Sequence, residues 1–300
     1  MDYKPEPKTA AILDRAWFWI QSVPYSVTSR WVFYRLFQEG VYSNKSGYKP
    51  LLSISSKARK SFYKEWRPWS LVDDTRNAIV PEMFPSAGAY HSALCKRVSY
   101  TPDVWQNQPI YVEVWFEAAA MEAQFRAYTP GLVSLLAFRG DVSIYPKWTT
   151  AQRLLDRWLS LQKPVHIFYF GDLDYKGLII PGSAWRDIIY FAQIAYCYKL
   201  NEMGIPKDQW DEHLDRLLSQ WNFQRVGLTV DQVNLYGLPE NPERPGTWQW
   251  EALGDDQARE LIGQISRSID GDRYNTDILE ADKVTERLRD YLGRWNPDGN

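Results

Sequence analysis

The chain has 300 residues, 45% hydrophobic and 24% charged, with a formal net charge of −2. That is the profile of a globular chain with ample core for one large domain or two of ordinary size. Two cysteines without metal spacing, Cys95 and Cys197, argue against a disulfide framework or a zinc site, and no triad pattern surrounds the three histidines. The near-neutral total hides an asymmetry: residues 1–70 hold 12 Lys and Arg against 5 Asp and Glu, whereas residues 201–300 hold 11 against 20. A basic amino-terminal module is the electrostatic footprint of phosphate-backbone binding. The polar amino terminus and the lack of a long apolar run imply a cytoplasmic protein without a membrane partner.

Lys8 to Val23 carries Ile12, Leu13, Ala16, Trp17 and Ile20 at helical spacing, with Pro24 as its stop. A second helix is predicted from Ser26 or Thr28 to Gly40, with Val32, Phe33, Leu36 and Phe37 as its apolar stripe. Tyr34 falls off that stripe and shares a face with Arg30, four residues earlier, which predicts an outward-facing tyrosine beside an arginine. A third helix, Tyr48 to Tyr63, carries Lys57, Arg59, Lys60 and Lys64. Three short helices with a basic third one suggest a helix-turn-helix or winged-helix unit, in which Lys57, Arg59 and Lys60 contact the DNA backbone. The Pro, Gly and Ser content of residues 80–109 suggests an interdomain connection, giving domains at 1–100 and 101–300.

From Ile110 the pattern changes to strands alternating with helices, the signature of parallel βαβ units. Ile110, Val112, Val114 and Phe116 alternate along a strand that delivers Glu117 at its end, and a helix follows. Gly131 to Phe138 reads as a second strand ending at Arg139, a further candidate for phosphate contact. Thr149 or Thr150 is the expected cap of a helix bearing Ala151, Leu154, Leu155, Trp158 and Leu159. The continuous apolar run from Val165 to Phe170 reads as a buried strand that stops at Gly171, with Asp172 and Asp174 just beyond. Carboxyl ends of parallel strands share one edge, so Glu117 and the two aspartates are predicted to converge there, where both aspartates can face one hard cation. Gly177 permits a tight turn or a close phosphate approach. Further on, a helix around Trp210 to Trp221, a strand near Arg225, a helix capped by Thr229 and stopped by Pro239, and an acidic helical tail from Asp255 to Trp295 complete the pattern.

An acid after a first strand (W-F-E, 115–117) and F-G-D-L-D-Y-K-G at 170–177 together resemble the Toprim domain. Separately, T-S-R-W-V-F-Y-R-L-F at 28–37 resembles the tyrosine-bearing helix of the topoisomerase VI A family and the meiotic double-strand-break transesterases, which lies in a winged-helix domain preceding Toprim. R-V-G-L-T-V-D-Q-V-N-L-Y-G-L-P and W-E-A-L are similar to segments that follow Toprim in bacterial and phage-type relatives, so the resemblance covers most of the chain in the family's order.

The resemblance implies a Mg²⁺-dependent cleavage of double-stranded DNA, with Mn²⁺ as a substitute. Tyr34 would be the nucleophile forming a 5′-phosphotyrosyl link, assisted by Arg30, while Glu117, Asp172 and Asp174 form the metal cluster. A phenol of pKa about 10 needs such help at neutral pH. It further implies a homodimer in which one protomer's tyrosine works with the other's acids, and a separate ATPase partner for any strand passage, since no P-loop is present. Ala118 departs from the family, which often carries lysine there. Two alternatives stand beside this reading: a hydrolytic Toprim nuclease of the anti-plasmid defence type, with Tyr34 structural, and a catalytically inactive DNA-binding scaffold.

Overall fold

The computed structural model describes residues 3–61, 63–67, 70–71, 82–138 and 144–295. It is an α/β molecule with two separate apolar cores. The first core belongs to three helices: α1 (Pro7–Gln21), α2 (Ser29–Gln38) and α3 (Tyr48–Lys60). Leu13, Val32, Phe33, Leu36, Leu51 and Trp66 fill it. Thr28 caps α2 by accepting the Trp31 amide at 3.2 Å, which removes one of the unpaired donors of a helix start.

The second core surrounds a four-stranded, all-parallel sheet in the order β2-β1-β3-β4. Its strands are β1 (Tyr111–Phe116), β2 (Ser134–Ala137), β3 (Val165–Phe170) and β4 (Trp221–Gly227). Every residue of β1 is buried, because helices cover both faces. On one face Trp115 packs on Trp185 of α7 (Tyr175–Glu202), which lies beside α6 (Ile144–Leu161). On the other, Phe116 stacks on Phe125 of α5 (Glu122–Tyr128) at 4.7 Å, and Phe125 leans on Trp250. Alternate residues of one strand thus feed two apolar layers. Each such ring contributes about 2–3 kcal/mol by leaving water.

The remaining helices are α4 (Ala87–Arg97), α8 (Trp210–Gln220), α9 (Val230–Tyr236), α10 (Asp255–Gly263) and α11 (Gly271–Gly293). α4 packs on α11, and α10 on α5. Thr229 and Gln232 form a reciprocal capping box at α9, and Gly237, at φ +59°, ends it. Among the described residues no helix is long and apolar enough to cross a membrane, and both cysteines are free.

Several elements differ from the sequence reading. α6 begins at Ile144, so Thr149 and Thr150 are interior rather than capping; Pro146 sits in the first turn, where its missing N–H has no helical partner to lose. β2 starts only at Ser134. Trp221 opens β4 instead of closing α8. The tail is two helices, α10 and α11, with Ile269 extended between them. The 28 residues of α7 form one helix despite Pro181. Proline withdraws the bond to the carbonyl four residues back, that of Gly177. Arg225 Nη1 donates to that carbonyl at 2.6 Å instead.

Candidate active site at the carboxyl edge of the sheet

β1 and β3 are paired in register through Phe116 and Phe170, so the chain leaves both strands side by side at one edge. Glu117 and Asp172 meet there: Glu117 Oε2 accepts the Asp172 amide at 2.9 Å. Two glycines make room for this. A Cβ on Gly171 would stand 2.7 Å from Glu117 Oε2, and one on Gly177 would stand 2.3 Å from the Asp172 carbonyl. Gly177 therefore serves close approach within the first turn of α7 and not a tight turn. Asp174 caps that helix, its Oδ1 accepting the Gly177 amide at 2.6 Å, while Arg244 Nη1 lies 3.9 Å from its Oδ2.

The acids are incompletely neutralised. Burial, then the neighbouring Glu251 and Glu117, push the Asp172 carboxyl well above the usual carboxylate range, against the Trp250 amide that donates to its Oδ1 at 2.8 Å. Burial pushes Glu117 up as well, aided by Asp174 and opposed by the Asp172 amide and Arg225. Such excess charge on hard oxygen donors suits a divalent cation such as Mg²⁺. Among the described residues no three His, Cys, Asp or Glu side chains are grouped closely enough to hold an ion by themselves.

Sequence reasoning overlooked Arg225. From β4 its Nη2 donates to the carbonyls of Gly171 and Asp172 at 2.9 and 2.6 Å, and its Nε to Leu228 at 2.9 Å. It thus pins the loop that carries the aspartates, and its charge lies behind them. The one signal in the sequence was Pro181, which orphans a carbonyl that needs a donor. The segment 248–253, whose W-E-A-L belongs to the resemblance, packs against these acids, which its sequence did not indicate. Trp248 forms an antiparallel bridge with Leu173; Trp250 reaches Asp172; and Glu251 is partly buried, close enough to raise both Asp172 and Tyr34.

Tyr34 is drawn to this same segment. It does not face solvent as the helical pattern predicts: it is 7% exposed and its hydroxyl donates to Gln249 Oε1. The neighbouring Arg35 donates through Nη2 to the carbonyls of Glu251, at 2.8 Å, and Leu253. Burial and then Glu251 raise the Tyr34 phenol, with Arg30 pulling the other way and Asp172 adding to the rise. Arg30 itself is exposed. Lys57 and Lys60 are exposed on α3, Arg59 is partly buried, and Arg139 lies outside the described residues.

No family model, curated protein or solved structure matches the chain.

Proposed function

We propose that the chain is a DNA-cleaving transesterase of the topoisomerase VI A type, with a winged-helix-like unit bearing Tyr34 and a Toprim-like sheet bearing Glu117, Asp172 and Asp174. One observation carries the reading. Tyr34, separated from Gln249 by 215 positions, is hydrogen-bonded to the residue next to Trp250, whose amide is held by Asp172. A phenol, an arginine and a group of under-neutralised carboxylates thus gather at the carboxyl edge of a parallel sheet, where α/β proteins place their chemistry.

In this reading the Tyr34 hydroxyl gives its proton to solvent as Arg30 favours the phenolate, which attacks phosphorus; a P–O bond to tyrosine forms and the P–O bond to the departing 3′-oxygen breaks. Glu117 has the raised pKa of a group able to hand a proton to that oxygen. Asp172 and Asp174 would hold Mg²⁺, which supplies charge neutralisation at the phosphate; Mn²⁺ offers the same chemistry. Lys57, Arg59, Lys60 and Arg139 would contact the duplex backbone. A homodimer, a separate ATPase partner for strand passage and a cytoplasmic location belong to the same proposal.

A hydrolytic nuclease is the second reading, favoured by the buried, hydrogen-bonded state of the Tyr34 hydroxyl. Supercoiled plasmid incubated with Mg²⁺ or Mn²⁺ and quenched with detergent separates the two. The transesterase gives breaks with protein attached, lost in Tyr34→Phe and in Glu117→Ala. Protein-free breaks that survive Tyr34→Phe and vanish in Glu117→Ala would establish the nuclease instead.

A further inference from the structure

Tyr34 is buried without belonging to either apolar core. What covers it is a polar contact between the α1–α3 unit and the segments 241–243 and 249–255. Besides Tyr34 and Arg35, Gln38 Nε2 donates to the Ala252 carbonyl. Lys45 Nζ donates to Asn241 Oδ1 at 2.7 Å and lies 3.7 Å from Glu243 Oε2, and the Tyr25 hydroxyl donates to Asp255 Oδ1 at 2.7 Å. An aromatic edge contact, Tyr25 on Tyr128 at 5.8 Å, accompanies these bonds. Polar junctions between separate cores are the kind that part without unfolding either side.

Two features make this junction separable. Arg35 is 5% exposed, yet among the described residues its hydrogen bonds go to carbonyl and amide oxygens, the carboxylates of Asp255 and Glu251 acting on it only without direct contact, and its Nε finds no hydrogen-bond partner. Burying a guanidinium on those terms is costly. The basic amino-terminal third also meets the acidic carboxyl-terminal third here, a pairing that a polyanion competes for. At the same time the junction leaves no space for substrate. The cavity beside Tyr34, between Phe37, Pro239, Asn241 and Gln249, holds about 10 Å³, room for one water at most and none for a phosphodiester.

We propose that this junction is an autoinhibitory latch, with Gln249 as its catch: the closed form sequesters the Tyr34 hydroxyl, and DNA is cut only after the α1–α3 unit lifts from the 249–255 segment. The inference deepens the proposed function and rests on it for the identity of the sequestered group, but the closed state has a readout of its own.

That readout is tyrosine nitration followed residue by residue in the intact chain. In the wild type Tyr34 reacts about tenfold or more slowly than Tyr175, as expected for a hydroxyl exposed only in a minor open state, Tyr175 being 77% exposed. Gln249→Ala and Lys45→Ala each speed nitration of Tyr34 several-fold and leave Tyr175 unchanged. Equal rates at Tyr34 and Tyr175 in the wild type, or no acceleration in either variant, overturn the latch.

A second arm joins Lys45→Cys to Asn241→Cys with a short cleavable bis-maleimide, in a chain carrying Cys95→Ser and Cys197→Ser. Bridging suppresses plasmid cleavage and cutting the bridge restores it. Cleavage that persists in the bridged protein overturns the latch by showing the closed form to be competent. If the unbridged protein leaves plasmid intact, the transesterase reading falls, and nitration alone decides the latch.

Discussion

Two glutamates four residues apart, one within β1 and one just past its end, have opposite fates. Glu113, in the middle of β1, is fully buried, and Arg153 grips both its oxygens. The Tyr111 hydroxyl at 2.6 Å and the Trp115 indole at 2.9 Å complete its shell. Glu117, just past the strand end, receives one backbone amide and faces other acids. The first is a buried charge answered completely, as the interior demands. The second is left under-neutralised at the carboxyl edge of the sheet, the edge where α/β folds commonly place ligands, the condition in which a carboxylate is available for chemistry. Position on the sheet, rather than residue type, separates structure from function here.

The largest test of this contrast is Arg153→Met. Removing one partner strands the Glu113 charge, and the expected loss is about 3 kcal/mol, the lower end for a broken buried pair because Arg153 reaches solvent. Chemical denaturation measures it. The double change Arg153→Met with Glu113→Gln should recover much of the loss; if the single change is silent, Glu113 is not the answered charge described above.

At the carboxyl edge of the sheet the sign reverses. Asp172→Asn keeps an acceptor for the Trp250 amide but removes a charge that its surroundings oppose, so the metal-free protein should be more stable at pH 7, seen as a higher Tm. The pH dependence follows from the native state holding protons that the unfolded chain releases. The penalty of Asp172 and Glu117 is absent below their ordinary values of 3.8 and 4.5 and grows as pH rises through their elevated native values. Wild-type stability therefore falls across that interval, and Asp172→Asn flattens the fall. Mg²⁺ in excess should raise the wild-type Tm by mass action, with chelator reversing it, and raise that of Asp172→Asn less.

The smallest effect concerns the exposed lysines of α3. Lys57→Ala with Lys60→Ala should leave stability within about 0.5 kcal/mol of wild type. DNA affinity, measured against salt, should lose about one unit of slope per phosphate contact removed.

Much of this architecture was legible in the sequence because it rests on local rules. β1 and β3 declared themselves as short apolar runs, their acids fell where the strands stop, and Thr229 marked a helix start. What escaped depends on tertiary answers to local defects. Pro181 breaks a helical pattern unless a donor such as Arg225 arrives from 44 positions away to take up the Gly177 carbonyl. Tyr34 looks solvent-facing because a helical wheel knows only its own core, and the segment covering it lies in the last quarter of the chain. Glu113 lies between the alternating apolar residues of β1, yet it is buried because helices cover both faces of the sheet.

The proposed chemistry depends on Tyr34 being the group that joins DNA. The most direct measurement digests the products of plasmid cleavage with protease and nuclease and maps the nucleotide-bearing peptide by mass spectrometry. A 5′-phosphotyrosyl nucleotide on the peptide containing Tyr34 is the predicted result. Cleavage without any adduct, or an adduct on a different tyrosine, would contradict it.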